Sequence, residues 1–287
     1  MSDRPWAGTR SPRTGVNRVS QQTNWVPTSV NIDKPSAARM YDYLLGGSHN
    51  FAVDREFLEN TILAIQPEIK RFAIMNRAFM RRAMLFMLDQ GIRQFLDLGS
   101  GIPTVGNVHE IAHRVDPSAR VVYVDNEHVA VAHGQLLLEG KSNVVIVQGD
   151  ITKPGLILSD QETRRVLDFD QPIGLLAITI GHYILDDQDP EQVFAAYRDA
   201  LPSGSYLAMT HLTSDFSVVN ADELTDAMKK SQNNVRARTR SEVLSLFGDF
   251  ELVEPGLVTT SQWRPETPGE IEDPERDGLY AGVARRR

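Results

Sequence analysis

The segment QFLDLGSGIPTVGNV, residues 94–108, has the composition of a ligand-binding turn, because an acidic residue is followed by two glycines. An apolar run leads into Asp97, and Gly99 and Gly101 follow at alternate positions. Glycines let the backbone turn tightly and approach a ligand without a clash from a Cβ atom. In open α/β sheets such a turn follows the first strand and contacts nucleotide-type ligands at the carboxyl ends of the strands.

The residues around this turn distinguish a dinucleotide from S-adenosylmethionine. A dinucleotide site calls for a third glycine three residues after the second, and that position is Thr104. The carboxylate of Asp97 would repel a pyrophosphate, whereas it suits a ligand that carries an ammonium and a sulfonium and no phosphate. Pro103 is compatible with the turn, because the first N–H groups of a helix have no partner within the helix. The turn therefore favours S-adenosylmethionine.

Two more acids follow apolar runs that we predict to be strands. Asp125 ends VVYVD, at a sequence distance from the glycine turn that suits a carboxylate accepting from ribose hydroxyls. Asp150 ends VVIVQGD, where it can accept from an adenine amino group. A single acid at a strand end more often caps a helix or makes a turn, and this alternative is stronger for Asp150. Three such acids at one sheet edge predict a ligand site, to which we also assign Ser100, Asn126 and Ile151.

Histidines follow the fourth and fifth apolar runs and are candidates for acid–base chemistry. His182 and Tyr183 come directly after LLAITIG, and His211 lies in MTHL. Histidine titrates near pH 7, so we predict these three residues to be catalytic. The alternative for His182 is a helix cap or a hydrogen bond to a loop carbonyl. No metal site is predicted, since the acids after His182 better explain the start of the next helix.

The segment that precedes the core is polar and aromatic around a pair of glycines. Tyr41 lies in a short predicted helix that Gly46 and Gly47 end, and two further helices follow. We predict that residues 31–90 form an N-terminal helical lid with Tyr41 near the ligand. An ordinary helix with half-buried tyrosines is the alternative. Arg77 is a candidate for binding a ligand carboxylate, although arginines at such positions more often pair with acids or face solvent.

From residue 91 onward, five apolar runs alternate with helical stretches. This pattern predicts a mostly parallel sheet covered by helices on both faces, with right-handed crossovers. The runs FELVEPGLV and GLYAGVAR add a C-terminal antiparallel hairpin and bring the sheet to seven strands. We predict an α/β core over residues 91–287 with a helical insertion at about 214–247, and a basic, disordered tail over residues 1–30. The run KKSQNNVRARTR is expected to be a solvated helix face.

Composition excludes several classes of protein. The 287 residues include no cysteine, which removes thiolate catalysis and cysteine-ligated zinc and fits a reducing compartment. The formal net charge of −8 argues against broad nucleic-acid binding. No apolar run approaches the roughly 18 residues that span a bilayer. We therefore expect a cytoplasmic protein that binds a small molecule and neither nucleic acid nor membrane, with its oligomeric state open.

These residues together resemble the class I S-adenosylmethionine-dependent methyltransferases. Their motif acid-x-Gly-x-Gly-x-Gly is matched by Asp97, Gly99 and Gly101, with Pro103 in the third glycine's place. The segments PSAARMYDYLLGGSHNFAVDRE, NRAFMRRAM, QFLDLGSGIPT and VVYVDNE are similar to a bacterial subfamily, and this resemblance covers nearly all of residues 31–285.

The resemblance implies a Rossmann-like fold and S-adenosylmethionine as the cofactor. It implies that Asp125 holds the ribose, that Asp150 contacts the adenine edge, and that Gly99 and Gly101 pass under the methionine part. It places the end of the fourth strand opposite the transferred methyl group. Our leading hypothesis is an enzyme that methylates a small molecule. A cofactor-binding regulator without catalysis and an NAD-dependent oxidoreductase are the alternatives.

Overall fold

An eight-stranded sheet forms the centre of the protein. The structure, a computed structural model, describes residues 30–103, 106–267 and 273–287. The predicted tail lies outside the described residues except for residue 30, and so does Thr104. The strands are β1 (Gln94–Leu98), β2 (Arg120–Asp125), β3 (Val144–Gln148), β4 (Gly174–Ile178), β5 (Tyr206–Leu212), β6 (Glu251–Leu252), β7 (Val258–Thr259) and β8 (Leu279–Arg285).

The strand order is β3-β2-β1-β4-β5-β8-β6, and β7 also pairs with β8. Strands β1 to β5 are parallel to one another and β8 is antiparallel to β5, so the predicted mixed sheet is confirmed. The structure has one strand more than the seven predicted, because the expected edge strand is broken. Its pieces β6 and β7 pair with successive parts of β8, and Pro255, which has no N–H to donate, lies between them.

Helices cover both faces of the sheet and also precede it. They are α1 (Ala37–Leu44), α2 (Ala52–Phe57), α3 (Leu63–Ile65), α4 (Ile69–Asp89), α5 (Val108–Val115), α6 (His128–Leu137), α7 (Pro154–Ser159), α8 (Gln161–Val166), α9 (Pro190–Asp199), α10 (Ala221–Met228) and α11 (Arg240–Phe247). A π-helical turn, Leu58–Ile62, joins α2 to α3. Within the described ranges, each helix is too short or too polar to cross a bilayer.

Side chains alternate along the strands, and those on opposite faces of the sheet pack against different helices. In β1, Leu96 packs in a cluster with Val193 of α9 and Val243 of α11. The neighbouring Phe95 packs in a second cluster with Phe79 of α4 and others from α5. Successive residues of a strand point to opposite faces, so a run that is apolar throughout is buried on both sides.

The predicted insertion at 214–247 is only partly helical, which corrects the sequence interpretation. Helices α10 and α11 are separated by residues 229–239, where the structure has no helix. The run KKSQNNVRARTR is therefore not a solvated helix face: Val235 and Ala237 are buried, and so is Arg238. The segment is rich in charged residues, but its alternating apolar residues are buried in the protein, and this short alternation was overlooked in the sequence.

Candidate functional site

A cavity of about 420 Å³ lies at the carboxyl ends of the parallel strands, beneath the N-terminal helices. The structure brings to its wall every residue that we predicted to bind the ligand, namely Tyr41, Arg77, Asp97, Gly99, Ser100, Gly101, Asp125, Asn126, Asp150 and Ile151. His182 and Tyr183 also line it. Residues from four successive strand ends therefore meet at one edge of the sheet, as ligand sites do in open α/β folds.

The glycine turn is fixed to the end of β2. The backbone N–H groups of Gly99 and Ser100 both donate to the carbonyl oxygen of Val124, at 2.8 and 3.0 Å. Gly99 and Gly101 each have a φ of +67°, in the left-handed region that favours glycine. A Cβ atom on Gly101 would meet nothing within 4 Å, whereas one on Gly99 would lie 2.3 Å from the side chain of Ile180. The turn thus presents open space on the Gly101 side.

Asp97 and Asp125 are buried carboxyls with perturbed titration. Burial raises the pKa of Asp97 to about 7, Arg77 opposes this shift, and Asp125 adds to it. Burial raises the pKa of Asp125 to about 6, although it accepts backbone hydrogen bonds from Gly101 at 2.7 Å and Glu127 at 2.8 Å. A cationic ligand would stabilise the ionised form of two buried carboxyls that lie near one another. The Ser100 hydroxyl beside them is buried and has no hydrogen-bond partner among the described residues.

Asp150, at the end of β3, differs from these two acids. Its side chain is 40% exposed, and it accepts hydrogen bonds from the backbone N–H and the hydroxyl of Thr152. These hydrogen bonds and nearby Lys153 lower its pKa, although burial acts in the opposite direction. Asp150 therefore makes the turn that the sequence left open as an alternative, and it lines the cavity as well.

A hydrogen-bonded chain joins the N-terminal wall of the cavity to the ends of β4 and β5. The Asn76 amide donates to the hydroxyls of Tyr41 and Thr179, at 2.8 and 3.2 Å, and accepts from Thr210 at 2.7 Å. Thr179 has a φ of +52°, which is strained for a β-branched residue. The N–H of Thr179 donates to the Thr210 hydroxyl at 2.8 Å, so these hydrogen bonds hold the strained residue in place.

The cavity has a roof in which the N-terminal segment meets the segment between α10 and α11. The N–H of Ala37 donates to the Asn233 side chain at 2.9 Å, and the N–H of Gln232 donates to the carbonyl of Pro35 at 2.9 Å. A further bridge joins the end of α3 to the segment before α10, where the Gln66 amide donates to the carbonyl of Val218 at 2.8 Å. The N-terminal helices are thereby fastened across the cavity to the insertion.

A buried charge network anchors α1 to the loop after β2. The Arg39 side chain is fully buried and contacts Asp54 at 2.8 Å and Glu127 at 3.2 Å. The hydroxyl of Ser36 also donates to Glu127, at 2.8 Å. Glu127 follows Asp125 by two residues and lines the cavity, so this network links the N-terminal helices to the wall that carries Asp125.

The three residues predicted to be catalytic occupy different positions. His182 is 6% exposed on the cavity wall, and burial lowers its pKa well below the usual value, with His211 and Arg238 lowering it further. Burial also raises the pKa of Tyr183. His211 is not brought to the cavity wall. Its Nδ1 lies 2.7 Å from the carbonyl of Leu212 and its Nε2 lies 3.1 Å from Arg238, so both ring nitrogens have protein partners.

Arg77 and Arg81, two of the four arginines on α4, have different surroundings. Arg77 lines the cavity and donates to the carbonyl of Gly106 at 2.8 Å, whereas Arg81 pairs with Glu266 on the surface. Asp186, one of the acids after His182, pairs with Arg236 and Arg238. Among the described residues, no group of three or more His, Asp or Glu side chains is placed to hold a metal ion.

Asn76 and Glu127 are polar wall residues that were not predicted from the sequence as site residues. Asn76 is 1% exposed on the otherwise apolar buried face of α4, between Phe72 and Phe79. A polar residue within an apolar helix stripe is a signal that could have identified it, because a buried amide needs partners. Glu127 had no comparable signal, since its contacts come from residues that are distant in the sequence.

The sheet order, the glycine turn on β1 and the acids at the strand ends define a class I S-adenosylmethionine-dependent methyltransferase. The sequence model of a family described as S-adenosyl methyltransferase matches residues 23–287. The chain belongs to this family.

Two solved structures are similar over nearly the whole chain. One is a candidate methyltransferase from Thermobifida fusca YX, with 39% identity, a TM-score of 0.86, and coverage of 92% of this chain and 100% of that chain. The other is a DUF574 family protein from Streptomyces avermitilis, with 35% identity, a TM-score of 0.84, and coverage of 90% and 100%. No curated protein matches the chain.

The residues at the strand ends fit the family's cofactor. Two buried carboxyls favour a cationic ligand, the buried hydroxyl of Ser100 offers a further polar contact, and Gly101 leaves room for close approach. The prediction of S-adenosylmethionine as the cofactor is confirmed by the family, and so is the prediction of a methyltransferase. The individual roles of the site residues remain predictions.

Proposed function

We propose that the protein methylates a small molecule inside the roofed cavity. The observation that carries this proposal is the pair of bridges from Pro35 and Ala37 to Gln232 and Asn233, which join two separate segments at the cavity wall. A peptide or nucleic-acid strand would need an open groove, and the formal net charge of −8 gives no support to a polyanionic acceptor. Opening of the N-terminal helices as a lid belongs to the same proposal.

In this proposal the strand ends hold the cofactor. Asp97 accepts from the ammonium of the methionine part, Asp125 from the ribose hydroxyls and Asp150 from the adenine amino group. Gly99 and Gly101 let the backbone pass beneath the methionine part, and Asn126 and Ile151 complete the adenosine wall. When bound, the cofactor supplies a methyl group on a sulfonium. The protein's main contribution to such a displacement is alignment of the partners.

For His182, the surroundings support hydrogen bonding to the acceptor better than proton abstraction. Burial and Arg238 keep the ring neutral at pH 7, and a proton taken up there would stand beside another buried cation. A general base works best when its pKa lies near the working pH. Tyr183 lies against His182, with ring centroids 4.5 Å apart, and we assign it to the acceptor side. His211, which packs against Gly181, is assigned a positioning role.

The two glycines of the turn provide a matched test of these assignments. Alanine at either position carries the strain of a left-handed backbone, about 1–2 kcal/mol. Gly99→Ala also forces a Cβ against Ile180, so we expect it to unfold at a lower urea concentration than Gly101→Ala. Gly101→Ala should fold but bind S-adenosylhomocysteine more weakly, because its Cβ enters the space proposed for the methionine part. Wild-type affinity in Gly101→Ala would contradict the assignment.

The acceptor class can be tested with methyl-labelled S-adenosylmethionine and a bacterial lysate split by ultrafiltration. We expect label to enter the small-molecule fraction in an enzyme-dependent manner, and Asp125→Ala to abolish the transfer. Label that appears only in protein or nucleic acid would contradict a small-molecule acceptor. Binding of the cofactor without transfer to any fraction would favour a regulatory protein.

A further inference from the structure

The charges of the cavity wall are confined to one half. Asp97, Asp125 and Asp150 lie at the ends of β1 to β3, with Glu127 in the loop after β2 and Arg77 facing them from α4. Among the described residues, these five carry all the carboxylates and arginines of the lining. In the part of the chain that the structure describes, the half that the N-terminal helices and α10 enclose therefore presents no ionised side chain.

That second half is strongly apolar. Its wall is formed by side chains that are each at most 4% exposed, namely Leu58, Ile62, Phe72, Leu224, Met228 and Leu279. They come from the π-helical turn, α4, α10 and β8, so four separate elements contribute to one apolar surface. Its polar neighbours are neutral: Asn76, Thr179 and the uncharged His182 stand where it meets the cofactor half. The other polar side chains of the lining, among them the amides of Gln188, Gln232, Asn233 and Asn234, are neutral as well.

Desolvation decides which molecules this half can accept. An ionised carboxylate or ammonium moved out of water without a partner costs several kcal/mol, whereas each buried CH₂ of a neutral molecule gains about 0.8 kcal/mol. Asn76 is already engaged by Tyr41, Thr179 and Thr210, so its hydrogen bonds are committed within the protein. A charged acceptor would therefore lose its hydration and gain no counter-ion.

We propose that the methyl acceptor is an uncharged, largely apolar molecule with an aromatic or similarly compact hydrocarbon body. This body lies against the apolar surface of Leu58, Phe72, Leu224 and Met228, and the nucleophilic atom points toward the neutral polar border at His182. The inference rests on the proposed function, because it places the acceptor in the same cavity as the cofactor.

A series of three naphthalene probes tests the inference on the wild-type protein. S-adenosylhomocysteine is first titrated by calorimetry and then kept saturating, while 2-naphthol, 2-naphthoate and (2-naphthyl)methylammonium are titrated at about pH 7.5, where the last two are charged. We expect 2-naphthol to bind at least about tenfold more tightly than either charged probe, because only the charged probes lose hydration without a counter-ion.

Two variants of one residue supply the control. Met228→Lys should weaken 2-naphthol binding and strengthen 2-naphthoate binding, while Met228→Leu should leave the preference for the neutral probe unchanged. Equal or stronger binding of a charged probe to the wild type would overturn the inference, and so would failure of all three probes to bind once S-adenosylhomocysteine is bound. Failure of S-adenosylhomocysteine itself would instead overturn the proposed function, so the two failures are distinguishable.

Discussion

Asp97→Asn is expected to reduce the affinity for S-adenosylhomocysteine by roughly 100-fold, because the proposed partner of the ligand ammonium loses its charge in a buried site. The variant should still fold. Burial raises the pKa of Asp97 to about 7, so its ionisation disfavours the folded state increasingly as the pH rises from about 4 to 7. Asparagine removes that cost. Calorimetric titration together with urea unfolding separates lost binding from lost structure.

The role proposed for Asp97 also predicts that the affinity for S-adenosylhomocysteine depends on pH. In the free protein Asp97 is largely protonated below about pH 7, and binding of an ammonium requires the carboxylate, so binding at lower pH must release a proton. The wild-type affinity should therefore rise from pH 6 to 8, and Asp125, with its pKa raised to about 6, adds to the lower part of this rise. Asp97→Asn should flatten the upper part. An unchanged pH profile in the variant would contradict the role proposed for Asp97.

Arg39→Met is expected to destabilise the fold by about 3–5 kcal/mol, because it leaves the buried Asp54 without its cation. The Arg39 guanidinium also holds Glu127 and the carbonyl of Lys34, so the loss extends to the contact between α1 and the loop after β2. Urea unfolding measures the change. In the absence of denaturant the variant should also bind S-adenosylhomocysteine more weakly, since the N–H of Glu127 in that loop donates to Asp125 at the end of β2.

Lys229→Met is the matched control for this prediction. Lys229 pairs with Asp226, and both side chains are more than half exposed, so solvent screens the pair. Its removal should leave the urea midpoint and the cofactor affinity close to the wild-type values. An Arg39→Met protein as stable as Lys229→Met would refute the anchoring role of the network.

The cofactor half of the site was predictable because its signals are local. A glycine pair after an apolar run and an acid at or just after the ends of β1, β2 and β3 suffice, since parallel strands place their carboxyl ends at one edge. The overall sheet followed from the same alternation of strands and helices. The edge strand was predicted as continuous, and Pro255 explains why it is divided into β6 and β7.

The position of His211 was not predictable from the sequence. Thr210 and His211 are neighbours on a strand that is buried on both faces, and the apolar pattern does not reveal which of them points toward α4 and which toward the opposite face. In the structure Thr210 contacts Asn76 on α4, whereas His211 faces Gly181 and Arg238. Likewise, Arg39 pairs with Glu127, which lies 88 residues away in the sequence. This contact depends on the complete fold.

Cofactor binding by the acids and glycines at the strand ends is tested most directly by a parallel titration with S-adenosylhomocysteine and NAD. We expect one S-adenosylhomocysteine per chain, with binding that weakens in both Asp97→Asn and Gly101→Ala, and no binding of NAD. Binding of NAD in place of S-adenosylhomocysteine, or wild-type affinity for S-adenosylhomocysteine in both variants, would contradict this expectation.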